Sequence, residues 1–93
     1  MRVVLITGAH GTIGKILCSR LKGYKILAHD YKGRLQISGD FSTDQGVEQC
    51  VNQVLSHTND LYGFSRVLRA DCILNYQHYV DLLFENLELH LTV

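Results

Sequence analysis

Proline and tryptophan are absent from this chain of 93 residues, and cysteine occurs only three times. The lack of proline removes the commonest helix stop and leaves glycine to punctuate the chain. Cys18, Cys50 and Cys72 are far apart and form no Cys-x-x-Cys pair, which points away from a disulfide framework or a zinc site and fits a reducing, cytoplasmic setting. His10, His29, His57, His78 and His90 show no His-x-x-x-His spacing, so no metal is expected. Neither sign of charge predominates: nine Lys and Arg face nine Asp and Glu. That balance removes the electrostatic footprint for a nucleic-acid backbone or an anionic membrane, and leaves little repulsion between copies of the chain. Long apolar runs are missing too. Val3 to Ile6 is too short for a signal peptide or a membrane span and leads straight into glycines. No repeat, linker or low-complexity segment is visible.

What is present is globular: 46% hydrophobic and 19% charged residues, enough for one small domain. At this length folding hides only about two thirds of the surface of the unfolded chain, so stability is expected to be modest. The first fourteen residues organise the rest. An apolar, β-branched run from Val3 to Ile6 breaks into Gly8, Gly11 and Gly14 at a spacing of three, and an amphipathic stretch follows. The pattern predicts strand, tight turn and helix. Glycine lets a ligand approach the main chain, and a helix starting near Thr12 aims its unpaired N–H groups into the same space. Such a turn is an anion site, and inside a βαβ unit its usual occupant is a pyrophosphate. The Gly-x-x-Gly-x-x-Gly spacing is not a strict Gly-x-Gly-x-x-Gly.

Ile13, Ile16, Leu17 and Leu21 keep helical spacing as far as Gly23, a natural stop. Tyr24 to Asp30 then reads as a second strand ending in an acidic residue. Asp30 lies twenty-two residues beyond Gly8. At about that distance an acidic residue accepts hydrogen bonds from the adenosine ribose. Asp44 to His57 carries Val47, Cys50, Val51, Val54 and Leu55 at helical spacing, with Ser42 or Thr43 as N-cap. Asn59 to Arg69 reads as a short helix or a loop. Tyr79 to Leu91 is read as a helix apolar on a broad face, which implies more than one partner, either a homo-oligomer contact or a further piece of protein. Cys18 and Cys50 on apolar helix faces, and Cys72 in an expected strand, read as packed small hydrophobes rather than nucleophiles.

Thr7-Gly8-Ala9-His10-Gly11-Thr12-Ile13-Gly14, with Gly23-Tyr24 and a strand ending at Asp30, resembles the short-chain dehydrogenase/reductase family, in particular its extended and atypical members. Leu35 to Phe41 looks like the family's third strand, Asp71 to Asn75 is similar to its fourth, and Phe84 to Val93 is similar to the helix that follows. The resemblance implies a three-layer α/β Rossmann-type domain, with about four parallel strands in the order 3-2-1-4 and helices on both faces. It assigns dinucleotide contacts to Thr7, Gly8, His10, Gly11, Thr12, Ile13, Gly14, Asp30, Asp40, Phe41 and Asn75. His10 lies inside the turn, where its ring touches a phosphate or stays solvated. The implied cofactor is NAD or NADP. Asp30 favours NAD, because its charge opposes a 2′-phosphate. Lys32 and Arg34 reverse that preference if they turn toward the ligand, and otherwise are solvated loop cations.

The departures from the family pattern matter as much. Tyr76-Gln77-His78 stands where Asn-Ala-Gly is expected after the fourth strand, and His90 where an asparagine is usual. No tyrosine is followed by lysine four residues later, so the family's acid and its lysine partner are missing from the sequence. The resemblance therefore implies the cofactor half of an NAD(P)-dependent oxidoreductase, inactive by itself, with no catalytic residue to assign. The alternative is a non-catalytic nucleotide-sensing or protein-interaction module on the same fold.

Overall fold

The structure, a computed structural model, describes residues 1–65 and 75–92. β1 (Arg2–Ile6) is the β-branched N-terminal run, and its register with β2 (Tyr24–Asp30) is parallel from Arg2 opposite Tyr24 to Ile6 opposite Ala28. Parallel neighbours need a crossover, and α1 (Thr12–Arg20) supplies it, with Leu21 as C-cap and the Gly23 turn at φ 80° beyond. β3 (Ile37–Ser38) adds to the outer edge of β2, and α2 (Asp44–His57) crosses back. β4 (Asp60–Phe64) pairs with β1, α3 (Tyr76–Asn86) follows, and β5 (Glu88–Thr92) pairs with β4. The result is one parallel five-stranded sheet in the order 3-2-1-4-5.

Alternation along β1 divides the interior. Val4 and Ile6 face one side, with Ala9 and the half-buried Leu17, Cys18 and Leu21 of α1. Leu5 faces the other, in the larger core with Val47, Cys50, Val51 and Val54 of α2 and Tyr79, Leu83 and Leu87 of α3. Helices therefore cover both faces, as the resemblance implies. Tyr79 is the hub of that core: its ring centroid lies 4.9 Å from Phe41 and 5.8 Å from Phe64, edge-on to the latter. Among the described residues no helix is long and apolar enough to cross a membrane.

Three expectations are corrected, and a fourth falls mostly outside the described residues. The strand beside β1 is Asp60–Phe64, read from sequence as a short helix or loop; an apolar run this short carries no decisive period, and pairing with Val4 and Leu5 settles it. The proposed strand at Asp71 to Asn75 lies outside the described residues except for Asn75, which is the N-cap of α3 rather than a strand end. The last helix begins at Tyr76 and stops at Asn86, so Tyr76, Gln77 and His78 form its first turn. Beyond it, Glu88-Leu89-His90-Leu91-Thr92 is β5 and not the helix end. Its alternating leucines fit the period of a strand, and Leu61 opposite Leu89 sets the register.

The third strand is shorter than the stretch from Leu35 to Phe41. It ends at Ser38, before Gly39, whose φ of 147° is open to glycine and whose absent Cβ lets the main chain rest on Gly46 of α2. Gln53 of α2 closes the exposed edge, accepting from the Ser38 N–H at 2.7 Å. Thr43 is the N-cap of α2, its Oγ1 accepting from the Gly46 N–H at 3.0 Å.

Candidate functional site

The turn after β1 is built on two glycines. Gly8 has φ 59°, the left-handed region, and reverses the chain so that the Gly11 N–H donates to its carbonyl at 2.9 Å. A Cβ on Gly14 would overlap that carbonyl and lie 2.6 Å from Cα of Ala9, so glycine alone lets α1 start against the turn. Gly11 is the N-cap with extended backbone and makes no side-chain cap bond, and the first turn of α1 holds no acidic residue. The N–H groups of Thr12, Ile13 and Gly14 precede the first intrahelical bond, made by Lys15 to the Gly11 carbonyl at 2.9 Å. Gly8, His10, Gly11 and Thr12 are exposed, and Ile13 is 55% exposed. Together they form an open, positively poled mouth at the carboxyl end of β1.

Thr7 lies beneath this mouth. It is fully buried, its N–H donates to Ser65 Oγ at 2.8 Å, and the two hydroxyl oxygens are 2.9 Å apart. Ser65 in turn donates its N–H to the Leu5 carbonyl at 2.8 Å. Thr7 therefore ties the ends of β1 and β4 together. The histidine preceding Asp30 holds the turn as well: the Gly8 N–H donates to His29 Nδ1 at 3.1 Å and the Ala9 N–H to the His29 carbonyl at 2.8 Å. Sequence reasoning gave His29 no role. The available signal was a polar side chain near the end of a buried strand, which must find partners.

Asp30 stands at the carboxyl end of β2, and its carboxylate is already engaged. Arg34 Nε donates to Oδ2 at 2.8 Å and Nη2 to Oδ1 at 2.9 Å, with the N–H groups of Lys32 and Arg34 also directed at Oδ2. This guanidinium holds the carboxyl well below the usual carboxylate range. Arg34 is thus bound to the acid, neither turned away from it nor merely solvated.

After β3, the Asp40 carboxylate accepts from the Ser42 N–H at 2.9 Å and from its hydroxyl at 2.7 Å, shaping the entry to α2. The ring of Phe41 is buried between His29 and Tyr79, so only the main chain of Phe41 is left to face a ligand. Asn75 is half-buried at the start of α3. Cys50 is fully buried, which pushes its thiol up to about 12, and the half-buried Cys18 shifts the same way; both are free thiols. Cys72 lies outside the described residues. No group of histidine, cysteine and carboxylate side chains that could hold a metal occurs among the described residues.

No protein-family model and no curated protein matches the chain. Solved structures do. The 3-alpha-hydroxysteroid dehydrogenase of a Pseudomonas species, solved with NADH, is similar over 91% of this chain and 40% of its own length, at 27% identity and a TM-score of 0.74. A Listeria innocua protein matches at 16% identity and 0.67 over 96% of this chain and 51% of its own. A short-chain dehydrogenase/reductase from Brucella ovis matches at 11% identity and 0.64, over 92% and 56%. The chain thus spans about half the length of these neighbours, and its fold is that of the N-terminal part of short-chain dehydrogenase/reductases.

Proposed function

We propose that this chain binds a nicotinamide dinucleotide, as the cofactor half of a short-chain dehydrogenase/reductase, and transfers no hydride by itself. The observation that carries the reading is the junction of Gly8, Gly14 and α1: a glycine-lined turn seats the amide-rich start of a helix at the carboxyl end of β1, beside the end of β2, where Asp30 stands. That cradle fits a pyrophosphate, since Gly8 and Gly11 leave exposed main chain at its mouth, a Cβ on Gly8 would meet nothing but open space, and no acidic residue in the first turn of α1 repels an anion there. Gly8, Gly11, Thr12, Ile13 and Gly14 would offer main-chain contacts, with Thr7 supporting them from below and His10 at the rim. Asp30 would accept from a ribose hydroxyl, and Asp40, the Phe41 main chain and Asn75 would face the rest of the ligand. A bound dinucleotide supplies hydride chemistry; these residues bind and orient it.

NAD is the favoured ligand because Asp30 is a fixed acceptor. Arg34 supports NADP as a second reading, since it neutralises Asp30 and its side chain is 43% exposed, within reach of a 2′-phosphate. The absence of Tyr-x-x-x-Lys supports inactivity of the chain alone. An interaction module on the same fold is the other reading, favoured by Phe84, 61% exposed on α3, which would serve a homo-oligomer contact through that helix. The free thiols fit a cytoplasmic setting. Titration into NADH, followed by nicotinamide fluorescence, tests the reading. Saturable binding that is lost when Gly8 is replaced by leucine in a folded chain is expected; equal affinity of the variant would refute the placement.

A further inference from the structure

One side chain joins two of the loops that make up the site. His29 is 4% exposed, and each ring nitrogen has a main-chain neighbour: the Gly8 N–H 3.1 Å from Nδ1 and the Gly39 carbonyl 2.8 Å from Nε2. The Gly8 amide can only donate and the Gly39 carbonyl can only accept. Nδ1 is therefore bare and Nε2 carries the hydrogen, an arrangement available only to the neutral ring in one tautomer. The His29 carbonyl also takes the Ala9 N–H, and the ring packs on Phe41 with centroids 4.6 Å apart.

We infer that His29 is a positioning residue for the anion turn: its neutral imidazole, bridging the Gly8 N–H and the Gly39 carbonyl, fixes Gly8 and with it the start of α1, and protonation of the ring releases the turn. Weaker binding of a pyrophosphate-bearing ligand follows, and this consequence alone rests on the dinucleotide reading. A charged ring would present a second N–H to the Gly8 N–H, donor against donor, at the point where the chain reverses.

Among the described residues, the charged and titratable groups around His29 are few. Asp30 is adjacent on β2, paired with Arg34; Asp40 follows β3 with its carboxylate on Ser42; His10 lies in the turn and is exposed; α3 approaches with Tyr79, behind Phe41. Burial opposes charge on the ring, and outweighs the Gly39 carbonyl and Asp30, which favour it. The neutral form therefore prevails at neutral pH.

The test combines nitrogen NMR of the labelled chain with calorimetric titration of NAD⁺ between pH 8 and pH 5, on the native chain, His29→Asn and His29→Leu. Asparagine keeps a non-titrating acceptor near the Nδ1 position, whereas leucine keeps bulk and no partner. In the free chain the hydrogen is expected on Nε2, with the Gly8 amide signal following the ring's titration. NAD⁺ affinity should fall about tenfold on acidification, the effect of one hydrogen bond, stay level in His29→Asn, and be reduced at every pH in His29→Leu. A hydrogen on Nδ1 at pH 7.5, a Gly8 amide indifferent to ring charge, or an equal pH loss in His29→Asn overturns the inference. If NAD⁺ binds at no pH, the dinucleotide reading fails while the Gly8 amide still decides the role of His29. The same NMR measurement decides if His29→Leu does not fold.

Discussion

Arg34 grips Asp30 with two parallel hydrogen bonds, Nε to Oδ2 at 2.8 Å and Nη2 to Oδ1 at 2.9 Å, across one turn of chain beyond β2. The acid is almost wholly buried, while the guanidinium keeps an exposed flank. On the proposed reading, cofactor choice would be a property of the pair. Asp30→Ala is expected to weaken NADH and free Arg34 for a 2′-phosphate, moving the NADPH to NADH affinity ratio up by about tenfold, one charge-assisted hydrogen bond. Arg34→Ala should move it down. Fluorescence titration with both nucleotides measures the ratio, and an unchanged ratio in both variants would remove Asp30 and Arg34 from the ligand.

Acid should destabilise the fold in two windows. The folded pKa of His29 is lowered from its ordinary 6.5, so the unfolded chain binds the extra proton first, and stability held above 6.5 is lost as pH falls toward the lowered value. Asp30 is lowered from 3.8, so its contribution is held above 3.8 and lost at still lower pH. Urea unfolding as a function of pH should show both slopes. His29→Asn should flatten only the upper one and Asp30→Asn only the lower.

Gly14→Ala should cost about 1–3 kcal/mol, because the added methyl meets main chain that cannot swing aside. Ser19→Ala, on the exposed flank of the same helix, serves as the control and should stay within about 0.5 kcal/mol. Denaturant midpoints compare the two. Equal midpoints would mean that α1 can start farther from the Gly8 carbonyl.

Two aromatic positions on α3, Tyr79 and Phe84, differ sharply in their expected effects. Tyr79→Ala empties the hub between Phe41 and Phe64 and should cost about 3–5 kcal/mol, a large part of a small domain's stability. Phe84→Asp touches an exposed ring and should leave the melting temperature nearly unchanged. Light scattering after size-exclusion chromatography then reads self-association. A native chain that is monomeric at high concentration would leave Phe84 without the proposed contact.

Much of the candidate site's local structure was legible because it is local. The spacing of Gly8, Gly11 and Gly14 after four apolar residues, and the helical period from Ile13 to Leu21, place strand, turn and helix without reference to the rest of the chain. Asp30 followed from the second strand's end. Thr7 was legible as a turn residue, but its burial against Ser65 depends on a strand far away in sequence. His29 was passed over as one of five histidines, since neither Gly8 nor Gly39 adjoins it in sequence.

By itself the amino-acid order determined the opening β-α-β unit and the second crossover helix, because glycine placement, capping and apolar period act over a few residues. The tertiary structure decided that Asp60–Phe64 is the strand beside β1, that Glu88–Thr92 extends the sheet rather than a helix, and that Arg34 closes on Asp30. Short apolar segments fit helix and strand nearly equally well on their own. Main-chain hydrogen bonds to a neighbouring strand, and burial against residues remote in the chain, break that tie.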